Sequence, residues 1–123
     1  KSVYLMSNVK NKDKIYKNAD LLIHTSLFEG LPNCIVEAIN YGVPIIAYNG
    51  AGGTSEILGN GKYGKLVKVH DANKMSKNIE NFFKNPKILQ KKITKSKPTL
   101  YKFLDVNTAK SLEKEILYIF FKK

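Results

Sequence analysis

Apolar and polar positions alternate along this chain in blocks that read as strand, helix, strand, helix, strand and then helices. Residues 21–25 are a continuous apolar strand opened by Asp20. Residues 33–41 carry apolar side chains at Ile35, Ala38 and Ile39, a helical spacing, and Gly42 supplies the stop. Residues 43–48 are apolar on both faces, which predicts a strand buried inside a parallel sheet. A short helix over 54–58 ends at Gly59. The turn Gly59–Asn60–Gly61 then leads to a strand over 64–69. Residues 72–84 read as a helix with Met75, Ile79, Phe82 and Phe83 on one side, and 86–95 continue helically until Pro98 interferes. Upstream, residues 3–6 read as a short strand and 13–18 as one or two helical turns. Downstream, Asp105 can cap a last helix with Ala109, Leu112, Ile116, Ile119 and Phe120 on its apolar face.

This alternation predicts an α/β fold, a Rossmann-like parallel sheet flanked by helices. Ligands in such sheets bind beyond the carboxyl ends of the strands. Those ends fall at residues 25–31 and 49–54, where the acids, glycines and hydroxyls gather. With 123 residues the chain holds one core. We divide it into a partial α/β domain over 1–104 and a terminal helix over 105–123. That helix closes the domain or crosses to a further one, and its apolar face is a candidate contact surface. The start inside a strand, without an initiator Met, suggests a piece of something longer.

The net charge of +11 narrows the partners. All 21 basic residues are lysines, and the bidentate fork that reads bases and phosphates belongs to arginine. A solvated lysine surface is the leading reading, and attraction to an anionic membrane leaflet the second; nucleic acid is not expected. No stretch approaches the roughly 20 apolar residues of a membrane span. The lone Cys34 allows no internal disulfide and no cysteine metal cluster, and a small thiol in a reducing cytoplasm is its simplest reading. No His, Asp and Glu grouping has metal-ligand spacing, so neither metal nor cofactor is expected.

The chemistry concentrates at Glu29 and Glu37, separated by seven residues. A carboxylate accepts two hydrogen bonds side by side and so suits vicinal hydroxyls on a ribose or hexose. Taken alone, the same residues are a loop charge and a solvent-facing helix charge. Gly30 lets a ligand approach the backbone. Pro32 suits the first helical turn and leaves the Asn33 and Cys34 amides to face an anion, although Asn33 also suits a cap. Gly52, Gly53 and Thr54 form a loop able to contact phosphate or sugar, a weak signal in isolation. His24, on the apolar strand, reads as a satisfied core histidine.

The run ADLLIHTSLFEGLPNCIVEAINYGVPIIAYNGAGGTSEIL, with GKYGKLV after it, resembles the carboxy-terminal domain of retaining glycosyltransferases of family four, also called group one. Their signature of Glu, seven residues and Glu is here Glu29, GLPNCIV, Glu37. The resemblance implies a GT-B architecture whose second domain binds a nucleotide diphosphate sugar without a metal. It implies that Glu29 is the catalytic residue, which contacts hydroxyls of the donor sugar and helps to position it. Backbone around Gly30 and Leu31, with Asn33 and Cys34, would hold sugar and diphosphate, and Glu37 would bond the ribose. The acceptor, a glycan or a lipid-linked sugar, would bind through a first domain. The family's diphosphate-neutralising Arg and Lys, and that first domain, correspond to positions upstream of Lys1. Residues 103–107 also depart from the family's aromatic pair. This piece is therefore expected to bind donor feebly and to be inactive alone. The parent enzyme would work in the cytoplasm, at the inner membrane face if the lysines hold it there, in polysaccharide biosynthesis. The competing reading is a non-catalytic nucleotide-sugar-binding module or an inactive gene remnant.

Overall fold

The computed structural model describes residues 3–7, 9–96 and 98. In chain order these form α1 (Lys12–Lys17), β1 (Leu22–His24), β2 (Phe28–Glu29), α2 (Asn33–Tyr41), β3 (Ile45–Tyr48), β4 (Ala51–Gly52), α3 (Gly53–Ile57), β5 (Lys65–Val67), α4 (Ala72–Lys84) and α5 (Lys87–Thr94). The expected last helix and the 105–123 division lie outside the described residues.

Three strands make a parallel sheet in the order β1-β3-β5, with His24 opposite Ala47 and Tyr48 opposite Val67. The central strand is the one whose sequence is apolar on both faces. Ile45, Ile46 and Ala47 are each 0% exposed. Period-two alternation sends them to two different cores. Ile45 and Ala47 join Ile35, Ala38 and Ile39 of α2, with Ile57 and Leu58, on one side. Ile46 joins Val67, Met75 and Phe82 on the other, beneath α4. Helix α5 contributes to both, through Ile93 and Leu89. Helices thus cover both faces, the arrangement that a parallel sheet requires.

Helix ends follow local chemistry. Asp71 caps α4 by accepting from the Lys74 amide at 2.8 Å, and Asn11 caps α1 by accepting from the Lys14 amide at 3.2 Å. Helix α2 stops at Gly42, whose φ of 74° places it in the left-handed region. Its N–H reaches Ile39 O at 3.0 Å, and the Val43 N–H reaches Ala38 O at 2.8 Å.

Two expectations need correction. Residues 3–6 form no strand: they pair with nothing among the described residues, and Val3, Tyr4, Leu5 and Met6 are 66–98% exposed. An apolar run alone does not make a strand without a neighbour to complete its ladder. Phe83 does not share the buried side of α4. Consecutive helical residues point about 100° apart, so Phe82 enters the core while Phe83 stays 64% exposed and packs edge-on against it at 5.2 Å.

Candidate functional site

Beyond the carboxyl ends of β1 and β3 the chain makes a second, two-stranded parallel pairing. Strand β2 runs beside β4 with Phe28 opposite Ala51 and Glu29 opposite Gly52. The glycines after Asn49 exist for this approach. A Cβ on Gly50 would strike the Leu27 carbonyl, one on Gly52 the Glu29 carbonyl, and one on Gly53 the Gly30 carbonyl. Gly52 also has φ 104° and ψ −153°, a conformation that only glycine adopts readily. The loop expected to contact phosphate or sugar is thus laid directly along the loop bearing Glu29. Gly52 is exposed, Gly53 half-buried and Thr54 buried at 2% exposure. Leu31, two residues after Glu29, is 50% exposed.

Glu29 sits on this short pairing with its side chain 40% exposed, and its Oε1 lies 3.9 Å from Nε2 of His24. His24 is 7% exposed and lies on β1, as expected, but it is not satisfied: its Nδ1 is buried with no hydrogen-bond partner among the described residues. Two-residue strands carry no periodic signal, which is why sequence reasoning missed β2 and β4.

Helix α2 opens after Pro32, which is the cap residue itself; Asn33 is the first helical residue and makes no capping bond. The Pro32 carbonyl accepts from Ile35 N at 2.9 Å and from Val36 N at 3.3 Å. Burial pushes the Cys34 thiol above its ordinary value, the backbone amides of Ile35 and Cys34 partly offset it, and the Glu29 and Glu37 charges add to the rise. Both carboxylates therefore lie within electrostatic reach of Cys34, one on each side of the helix start.

One turn further along, Glu37 is engaged by a neighbouring helix. Lys12 Nζ of α1 donates to its Oε1 at 2.9 Å, and Tyr16 Oη donates to its Oε2 at 2.8 Å. The Lys12 bond, helped by Tyr16 and opposed by partial burial, holds this carboxyl below its ordinary value. Tyr16 is driven the opposite way, well above the usual phenol range, first by burial and then by its bond to Glu37, so it stays a donor. Its ring stacks on Tyr41 at 5.5 Å and 11°, and the Tyr41 hydroxyl donates to Asp13 on α1. Neither Lys12 nor Tyr16 was singled out from the sequence. They stand 25 and 21 residues before Glu37, and only tertiary packing joins them to it.

Between α1 and α2 lies a cavity of about 350 Å³. Val9, Ile15 and Leu22 supply apolar wall, Lys12, Tyr16 and Glu37 a polar edge, and Asn33 and Cys34 the helix start. The Asn33 amide has no acceptor among the described residues and borders this space. An apolar recess, a carboxylate and a helix N-terminus therefore adjoin one another. Among the described residues no three His, Cys, Asp or Glu side chains could hold a metal ion, and no helix is long and apolar enough to cross a membrane.

Comparison with known proteins identifies the family and the fold. The sequence model of the family Glycosyl transferases group 1 matches residues 1–99. Protein CapJ of Staphylococcus aureus is 34% identical over 120 residues, covering 90% of this chain and 30% of its own length. The Campylobacter jejuni N-acetylgalactosamine-N,N'-diacetylbacillosaminyl-diphospho-undecaprenol 4-alpha-N-acetylgalactosaminyltransferase is 24% identical over 115 residues, covering 94% of this chain and 32% of that enzyme. Among solved structures, Anabaena HepE in complex with UDP-glucose superimposes with a TM-score of 0.72 at 24% identity, over 85% of this chain and 29% of HepE. TarM gives 0.73 at 23% identity, over 88% and 21%. The chain thus spans about a third or less of each relative.

Proposed function

The chain belongs to the glycosyl transferases group 1 family, and on that premise we propose that it is the donor-binding part of a retaining hexosyltransferase. The parent enzyme moves a sugar from a nucleotide diphosphate sugar to a glycan or lipid-linked acceptor. One observation carries the reading: Glu37 and the start of α2 border a single cavity, while Glu29 is fixed on the adjoining loop by its pairing with Gly52.

In this reading Glu37 accepts from the ribose diol. The Asn33 and Cys34 amides, with the backbone at Gly30 and Leu31, receive the sugar and diphosphate, and Glu29 takes hydroxyls of the transferred sugar. The loop at Gly52, Gly53 and Thr54 backs Glu29 and adds phosphate or sugar contact. Rate enhancement then comes chiefly from orientation and from fixed dipoles facing the departing diphosphate. HepE has been crystallised with UDP and with UDP-glucose, which makes uridine the first donor base to test. The Campylobacter relative's name specifies a diphospho-undecaprenol acceptor, which supports the lipid-linked class.

The test is titration of the chain, and of the full-length enzyme that carries it, with uridine, guanosine and adenosine diphosphate sugars. One donor class should bind, and Glu37→Ala should weaken it about tenfold or more through loss of paired hydrogen bonds to a charged group. Unchanged donor affinity and turnover in Glu37→Ala would remove the ribose assignment.

A further inference from the structure

Resting on the reading of Glu37 as the ribose contact, the geometry points to Tyr16 as a positioning residue, aided by Lys12, that fixes the Glu37 carboxylate for a vicinal diol. Nothing in the signature of two glutamates includes α1. Yet both carboxylate oxygens are held from that helix: Oε1 by Lys12 at 2.9 Å and Oε2 by Tyr16 at 2.8 Å. A carboxylate offers about four acceptor sites, two on each oxygen. One is taken on each oxygen, which leaves one on each. That is the pattern two adjacent hydroxyls need.

The two donors are not equal. Lys12 is a flexible side chain, 63% exposed, and an exposed ion pair of this kind fixes little. Tyr16 cannot swing freely. Its ring lies flat on Tyr41, 5.5 Å away and 11° from parallel, and Tyr41 is tied by its own hydroxyl to Asp13 of α1. The chain of contacts runs from α1 to α2 and back, and Glu37 is its end. Tyr16 is therefore the anchor, and Lys12 supplies charge.

A staple that merely joins α1 to α2 would use the same contacts, so the test must separate the two roles. The probes are uridine diphosphate and its 2′,3′-dideoxy analogue, which lacks the diol, titrated by NMR chemical shift into the chain and into its variants. The unaltered chain should prefer uridine diphosphate about tenfold, the scale of paired hydrogen bonds to a charged group. Tyr16→Phe keeps the ring stack and removes one hydroxyl. It should weaken uridine diphosphate about threefold to tenfold and the dideoxy analogue less than about twofold. Equal loss on both nucleotides, or no loss on either, would overturn the positioning role.

Glu37→Ala tells the two readings apart. If it keeps the preference for the diol, or if the unaltered chain shows no preference or no binding, the ribose assignment itself fails. If Glu37→Ala erases the preference while Tyr16→Phe retains it, only the inference about Tyr16 fails. Lys12→Met, at an exposed position, should cost less on uridine diphosphate than Tyr16→Phe. An equal or larger loss would overturn the ranking.

Discussion

The α-carbon of Gly52 lies so close to the carbonyl of Glu29 that no side chain fits between them. The two residues are register partners in the β2–β4 pairing. Gly52→Ala must therefore either displace Glu29 or strain the loop, because φ of 104° is unfavourable for alanine as well. A loss of about 2–3 kcal/mol in stability is expected, together with altered amide shifts at residues 28–30. Thermal unfolding and NMR read the two effects. A variant as stable as the parent with unchanged shifts would contradict the packing.

His24 should tolerate an apolar replacement. Its Nδ1 is buried without a partner among the described residues, so His24→Leu removes an unsatisfied atom at similar volume. Denaturant unfolding should show stability unchanged or raised by about 1 kcal/mol. A loss above about 2 kcal/mol would mean that the imidazole makes a bond essential to the fold.

Acid should loosen α1 from α2. The Glu37 carboxyl is held below its ordinary value of 4.5, chiefly by the Lys12 bond. A depressed carboxyl contributes stability that is complete above the unfolded value and is lost as pH falls through the folded one. Hydrogen exchange in α1 should therefore accelerate as pH falls below 4.5. In Lys12→Met, where the carboxyl is less depressed, the acid-driven acceleration should be smaller. An equal acceleration in both proteins would discount the bond.

Cys34 should be a slow nucleophile. Burial, followed by the two nearby carboxylates, raises its thiol, and the helix amides only partly offset this. At neutral pH its reaction with a disulfide reagent should be about tenfold or more slower than that of glutathione, because the thiolate fraction and access both fall. A rate equal to glutathione's would refute the environment described.

How much of this was legible beforehand depends on how local the cause is. Helices α2 and α4 lie where the sequence places them because their limits are local: Gly42 ends one and Asp71 begins the other. β3 announced its central position by being apolar on both faces. Glu29 and Glu37 were visible from their spacing. Their partners were not, since Tyr16 meets Glu37, and Gly52 meets Glu29, only after the sheet has brought distant segments together. Pro32 as the cap and Asn33 as the first helical residue were also beyond reach, because both residues suit either position.

The order β1-β3-β5 also dictates how this domain can assemble. Each ladder joins residues roughly twenty apart in sequence, and no hairpin links any two strands of that sheet. Loop closure must precede every strand pairing, so the sheet cannot nucleate by itself. Helix α2, bounded by Pro32 and Gly42 and docked on Ile45 and Ala47, is the element able to shorten the first closure. The segment that carries Glu37 would then also be the seed of folding, which ties the speed of maturation to the same nine residues.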